Sequence, residues 1–248
     1  MKKKEYEVLF NIEENYWWYV GLRKLVISFI DGIKEKRDNL IILDAGCGTG
    51  KTLDDCRAYK IYGMDFSEEA IKYCKLRGLG KLVRGTICQV PVKNDSFDVV
   101  ISLDVLYHKN IEDDVKALKE LCRVMNNDGR LLLNLPAYNF LRSRHDEAVH
   151  TKRRYTVKSL KLKLEEAGFE IENITYRNTI LFPIAVTKRI IEKIFPVDTE
   201  NVESDLKPLP NLLNKTFTLF LFFENKLILS GIKFPFGLSV YCVAIKRK

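Results

Sequence analysis

Leu43-Asp44-Ala45-Gly46-Cys47-Gly48-Thr49-Gly50 is the stretch on which the reading of this chain turns. The run Leu40-Ile41-Ile42-Leu43 leading into it is short and continuously apolar, as in a strand buried on both faces of a parallel sheet. Asp-x-Gly-x-Gly-x-Gly then implies a tight loop. Glycine reaches backbone angles closed to other residues and lets a ligand approach the main chain. A helix is expected just after it. Dinucleotide loops read G-x-G-x-x-G, whereas the spacing here is G-x-G-x-G. Lys51-Thr52 follows Gly50, but the earlier glycine and four-residue spacer of a phosphate-cradling P-loop are missing.

Outward from this loop, strand and helix signals alternate. Short strands are expected at Lys60–Asp65, Lys81–Arg84, Phe97–Ser102, Gly129–Leu135, Phe169–Tyr176 and Gly237–Lys246. Helices are expected at Ser67–Arg77, with Ser67 as N-cap, at Glu112–Met125 and at Val157–Ala167. Apolar spacing over residues 5–37 also reads as helix. This order means βαβ units and an α/β fold with helices on both faces of the sheet. Between the last two strands, residues 178–236 form an insert of two apolar helices, Ile180–Phe195 and Leu212–Leu229, joined by a polar loop with Pro196, Pro208 and Pro210.

Four ordered stretches resemble the class I S-adenosylmethionine-dependent methyltransferases. The first is the loop Asp44–Gly50. The second is Gly63-Met64-Asp65-Phe66-Ser67, at the end of the second strand. The third is Val90-Pro91-Val92-Lys93-Asn94-Asp95-Ser96-Phe97-Asp98, leading into the fourth strand. The last is Ile101-Ser102-Leu103-Asp104-Val105-Leu106-Tyr107-His108. The resemblance covers residues 40–136 firmly and the rest more loosely. It implies a Rossmann-like, seven-stranded, mostly parallel sheet in a single domain, 1–248. The core would be 38–177 and 237–248, with an N-terminal helical lid at 1–37 and the cap insert at 178–236. It also implies S-adenosylmethionine as cofactor, with S-adenosylhomocysteine as product. Asp44, Gly46, Cys47, Gly48 and Gly50 would hold its methionine and sugar portions. Asp65 would accept hydrogen bonds from both ribose hydroxyls, with Phe66 and Ser67 flanking the adenosine. Ser102 and Leu103 would line the methionine end. Where the family usually carries Gly-Asp-Ala beside the adenine, this chain has Gly85-Thr86-Ile87. That leaves Thr86 and Ile87 as adenine neighbours and puts the usual side-chain contact in doubt.

Two further segments are candidates for substrate chemistry. Tyr16, Trp17 and Trp18, with Arg23 behind them, resemble the Trp-Trp-x-x-x-x-Arg opening of many bacterial and archaeal relatives. They read either as a lid, with Arg23 pairing the cofactor's carboxylate, or as a staple of the N-terminal helix onto the core. Arg142–Tyr155 follows the fifth strand, at the sheet edge where ligands bind. It is similar to a Ser-x-x-Asp…His-x-x-Arg-Arg-Tyr segment of one subgroup. His150 or His145 would act as general base there, and Arg153, Arg154 and Tyr155 would bind an anionic acceptor. The plainer reading is a basic loop whose Tyr155-Thr156 caps the next helix. His108 either faces the substrate or caps a helix.

Lys plus Arg total 41 and Asp plus Glu 33 among 248 residues, a net charge of +8. Hydrophobic residues are 46%, which excludes disorder as the main state. Six cysteines lie without C-x-x-C spacing and away from the three histidines, so no metal site is expected and a reducing cytoplasm is. No signal peptide is expected at Met1–Glu5, and the apolar run Thr216–Phe223 is far short of the about 18 residues a spanning helix needs. The insert reads as a cap over an enclosed acceptor, or as a face lying on the inner membrane surface beside Lys188, Arg189, Lys193 and Lys226. The expected activity is methyl transfer, at oxygen, to a small-molecule, glycan or lipid-linked acceptor. A nucleic-acid substrate is not expected, since no Asn/Asp-Pro-Pro-Tyr/Phe motif follows the fourth strand. The rival readings are an RNA methyltransferase and a membrane-associated member of the fold without turnover.

Overall fold

The computed structural model describes residues 3–35, 39–194 and 209–247; the side chains of 144, 145, 188 and 192–194 lie outside that description. Phe195, Pro196 and Pro208, and the first and last residues of the expected lid, therefore fall outside it too. Seven strands form one sheet: β1 (Ile41–Ala45), β2 (Lys60–Asp65), β3 (Leu82–Arg84), β4 (Phe97–Leu103), β5 (Met125–Pro136), β6 (Phe169–Arg177) and β7 (Ser239–Lys246). Their order is β3-β2-β1-β4-β5-β7-β6. Pairing is parallel from β3 through β5, while β7 runs antiparallel to both β5 and β6. The sheet is thus mixed, with one reversed strand.

Helices cover both faces because successive residues of each strand point to opposite sides. Leu131, Leu133 and Leu135 of β5, with Val240, Cys242 and Ala244 of β7, pack on one side against α5 (Asp114–Val124) and α7 (Val157–Glu166). Leu132, Tyr241 and Val243 face the other way, toward Leu22, Leu25, Val26 and Ile30 of α2 (Trp17–Lys34) and Ile228 of α9 (Asn211–Leu229). The expected caps form. Ser67 Oγ accepts from Ala70 N at 3.5 Å ahead of α4 (Glu68–Leu76), and Thr156 makes a capping box with Ser159 ahead of α7.

The N-terminal segment is not one helix. It breaks at residues 13–16 between α1 (Lys3–Ile12) and α2, so α1 can turn across the carboxyl edge of the sheet. The first insert helix is α8 (Phe182–Ile194). The N-terminal helices and the insert are stitched together. Tyr16 gives α2 no side-chain cap; instead Asn214 of α9 accepts from Trp17 N at 2.9 Å and donates to Asn15 O at 2.7 Å. Asn225 Nδ2 donates to Gly21 O at 2.7 Å. A Cβ on Gly21 would sit 2.8 Å from Leu221 Cβ, so only glycine lets these helices approach this closely. Trp17 packs edge-on against Phe217, with ring centroids 5.5 Å apart, in a small core with Leu181 and Leu221.

Candidate functional site

A cavity of about 1340 Å³ opens along the carboxyl ends of β1, β2, β4 and β5. One half is built on the glycine loop, which runs from β1 into the short helix α3 (Lys51–Asp55). Gly46 adopts φ +102, and a Cβ there would collide with Val105. The close backbone turn therefore requires glycine at this position. Asp44, Gly46, Cys47 and Gly48 line this half, with Asp65, Phe66, Ser67, Thr86, Ile87 and Leu103 from the neighbouring strand ends. Asp65 accepts from Gly48 N at 3.0 Å and Ser67 N at 2.8 Å, which fixes its carboxylate toward the cavity mouth.

The charge here is negative. Burial pushes Asp44 up to about 7, and the nearby carboxylates of Asp65 and Glu13 add to the rise. Burial also raises Asp65, against the hydrogen bonds from Ser67 and Gly48. The carboxylates of Asp44 and Asp65 converge here and suit a cationic ligand, while Glu13 is paired with Arg77.

Helix α1 closes over this half. Tyr6 and Leu9 line it, and Glu13 anchors the helix end: it accepts from the Thr49 hydroxyl and pairs with Arg77 at 2.9 Å. Arg77 also lies over the Phe10 ring, 4.3 Å from its centroid. Arg23 lines the cavity but is already engaged. Its Nε pairs with Asp55 at 2.9 Å, Nη1 donates to Glu13 O at 2.6 Å, and Nη2 donates to Glu14 O at 3.3 Å. It holds the α1–α2 turn, so a carboxylate ligand would have to compete with these partners.

The other half is walled by side chains from distant parts of the chain. Tyr16, Trp17, Trp18 and Tyr19 enter from the start of α2; Asp104, Tyr107 and His108 from the segment after β4; His150 and Arg154 from the loop after β5; Leu238 and Ser239 from the start of β7. Ala185 and Arg189 of α8 complete the wall. His108 and His150 meet edge to face, with ring centroids 5.7 Å apart. Burial, with the nearby His150 and Lys109, lowers His108 to about 4. Its Nδ1 accepts from Asn110 N at 3.2 Å. His108 is therefore neutral and a weak base at physiological pH. The side chain of His145 lies outside the described residues.

The basic loop is not the anion cradle its sequence indicates. Arg153 does not line the cavity. It pairs with buried Asp114, which also takes Lys163 at 3.2 Å and the Tyr155 hydroxyl at 3.1 Å. Tyr155 is likewise buried, so both residues clamp the loop onto α5. Arg154 reaches the cavity wall but grips Asp146, on α6 (Arg144–Ala148), through two bonds of 2.9 and 3.0 Å, and donates to Ala137 O at 2.9 Å. Burial tends to raise Asp146, but this guanidinium outweighs it and holds the carboxyl below its usual range. Two cofactor candidates are also structural. Ser102 Oγ donates to Ala45 O at 3.0 Å, tying β4 to β1, and Gly50 starts α3. The pattern reading missed Glu13, Asp104 and Ser239, while Tyr19 ends the aromatic stretch Tyr16–Tyr19 that it did single out. Asp104 lies within the stretch after β4 that resembles the family, whereas no local signal marks Glu13 or Ser239.

Comparison with known proteins places this geometry. Residues 43–133 match the family described as Methyltransferase domain. An uncharacterized protein of Methanocaldococcus jannaschii is 28% identical over 174 residues, 66% of this chain and 72% of that one. The tRNA (carboxymethyluridine(34)-5-O)-methyltransferase of Arabidopsis thaliana is 36% identical over 96 residues, 38% of this chain but only 24% of that protein's length. A solved SAM-dependent methyltransferase from Thermotoga maritima shares the fold at a TM-score of 0.58 and 18% identity, over 98% of this chain and 96% of that one. The glycine loop, the mixed seven-stranded sheet and the match agree: residues 43–133 carry a methyltransferase domain, and the chain has the fold of solved S-adenosylmethionine-dependent methyltransferases.

Proposed function

We propose that the protein methylates a small, partly apolar acceptor at oxygen, within the cavity closed by α1, α2 and α8. The observation that carries this reading is the chemical contrast between the two ends of one continuous cavity. One end presents Asp44 and Asp65; the other is rich in aromatic side chains and continues into the insert. S-adenosylmethionine, when bound, supplies a methyl group already activated on a sulfonium. The residues present fit it: a buried carboxyl raised to about 7 is relieved by an adjacent cation. In this reading Asp65 accepts from the ribose hydroxyls, while Phe66, Ser67, Thr86 and Ile87 flank the base. Asp44 and the loop Gly46–Gly48 hold the methionine end, and Leu103 marks where it meets the acceptor. The wall of Tyr16, Trp18 and Tyr19 excludes water and aligns the acceptor, which is most of what this transfer asks of a protein. Helices α1 and α2 serve as the lid, and the insert as the cap.

A lipid-linked acceptor gains support from the exposed apolar side chains of the insert, among them Ile184, Leu212, Leu219 and Phe223. Among the described residues no helix is long and apolar enough to cross a membrane. An RNA acceptor is the second reading, because relatives named as tRNA methyltransferases match the cofactor core. The ion-paired state of Arg153 and Arg154 argues against it, since neither guanidinium is offered to phosphate. Transfer from methyl-labelled S-adenosylmethionine to phenols, sugars and prenyl alcohols, run beside transfer to total tRNA, tests the proposal. Label in the small hydroxyl compounds supports it; label in tRNA alone overturns it.

A further inference from the structure

Asp104 stands at the junction of the two halves, one residue past β4. Its φ of 57 lies in the left-handed region, which non-glycine residues adopt rarely and mostly where the surroundings enforce it. Asn134 of β5 enforces it here. Asp104 N donates to Asn134 O at 2.8 Å, and Asn134 Nδ2 donates to both carboxylate oxygens, at 3.1 and 3.2 Å. One residue thus holds both the main chain and the side chain of Asp104 while its carboxylate lines the cavity.

Behind Asn134, on the same face of the sheet, lies Arg177. Register pairs Asn134 with Tyr241 and Thr175, and in the next row Pro136 with Ser239 and Arg177. Arg177 is fully buried, and its Nε, Nη1 and Nη2 have no hydrogen-bond partner among the described residues. The charges that act on it are Glu224 and Asp104. Glu224 already accepts from Asn178 N and from Thr179 N, at 2.5 and 2.9 Å. A buried guanidinium without hydrogen bonds is costly as a packing element. Its effect on Asp104 is electrostatic, through a low-dielectric interior.

We propose that Asp104 is the general base for methyl transfer to a hydroxyl acceptor, and that Asn134 and Arg177 are positioning residues which aim its carboxylate and set its charge. This rests on the methyltransferase reading above. The acceptor oxygen uses a lone pair to form the new C–O bond. The S–CH3 bond breaks with its electron pair going to sulfur, and the O–H proton passes to Asp104, which returns it to solvent.

Asp104 suits the role better than His108. Burial pushes its carboxyl up to about 6, opposed by the Asn134 hydrogen bond and by Arg177 and Arg154. A base poised there is charged at neutral pH yet takes a proton readily. The other groups facing it are Tyr19 of α2 and Tyr107 of the loop, both raised by burial and therefore neutral. Asp146 is neutralised by Arg154. Arg177, lowered by burial to about 10, stays charged.

The test is carboxyl carbon-13 NMR across pH on protein saturated with S-adenosylhomocysteine. A resonance with its midpoint near pH 6 should vanish in Asp104→Asn. The midpoint should rise by at least one unit in Arg177→Gln and stay within half a unit in Arg177→Lys, the variant to rely on should Arg177→Gln fail to fold. Label transfer from methyl-labelled S-adenosylmethionine to the phenols, sugars and prenyl alcohols should fall at least tenfold in Asp104→Asn and recover in part in Asp104→Glu. An Asp104 midpoint below pH 5, a midpoint indifferent to Arg177→Gln, or label transfer unchanged in Asp104→Asn overturns the proposal. Failure of the wild type to bind S-adenosylhomocysteine would instead overturn the methyltransferase reading, before any variant is made.

Discussion

Beneath α1, the cavity wall at the cofactor end is mostly main chain and strand-end carboxylates, drawn from residues 44–67 and from the loop before β4. At the acceptor end it is side chains, carried by α2, the segments after β4 and β5, α8 and β7. The first wall is local in sequence, and its shape follows from where glycine permits the backbone to turn. The second is assembled by tertiary packing across more than two hundred residues, with Asn214 capping α2 and Gly21 admitting Leu221. A loop of the first kind can be kept while the second is rebuilt for another acceptor.

If the acceptor end depends on packing, its buried pairs should be expensive to break. Arg154→Ala leaves Asp146 buried without its partner and should cost about 3–5 kcal/mol of folding stability, read by urea denaturation. A loss under 1 kcal/mol would show that Arg154 is free for a ligand after all. Leu221→Ala empties the contact between α2 and α9 and should cost about 2–5 kcal/mol. Cofactor affinity in that variant should change far less than stability does.

The cofactor end should respond to pH instead. Asp44 is raised when folded, so its folded form holds a proton that the unfolded chain releases. Without cofactor, stability therefore falls as pH rises from the unfolded value near 4 toward 7. A bound cation favours the carboxylate, so affinity for S-adenosylmethionine should tighten about tenfold between pH 5.5 and 8. S-adenosylhomocysteine, with a neutral sulfur, should show less of this dependence; equal slopes in calorimetry would contradict the electrostatic account. The smallest effect is expected at Trp18→Ala, which should alter affinity for S-adenosylhomocysteine by less than about threefold, because its wall belongs to the acceptor.

The same contrast governs what the sequence alone could tell. Asp44–Gly50 and the succession of strands and helices along the chain were legible because glycine spacing, apolar runs and capping residues act locally, whereas the order of strands in the sheet and the reversal of β7 are set by long-range pairing. Arg153 and Arg154 misled because charge in a loop looks the same whether it faces solvent, ligand or a buried carboxylate. Asp114 and Asp146, which neutralise them, are recognisable as partners only once α5 and α6 are folded against the loop. The break at residues 13–16 was hidden because both flanking segments keep helical spacing. Asp104 was quoted but given no role, since Asn134 and Arg177, which set its environment, lie on other strands.

The central claim is that the carboxylate-lined end holds S-adenosylmethionine through Asp65. Isothermal titration of the cofactor into wild type and Asp65→Ala tests it most directly. The account predicts stoichiometric binding to wild type and a loss of about 2–3 kcal/mol, some 30- to 150-fold in Kd, in the variant. No binding to wild type, or equal affinity in both proteins, would contradict it.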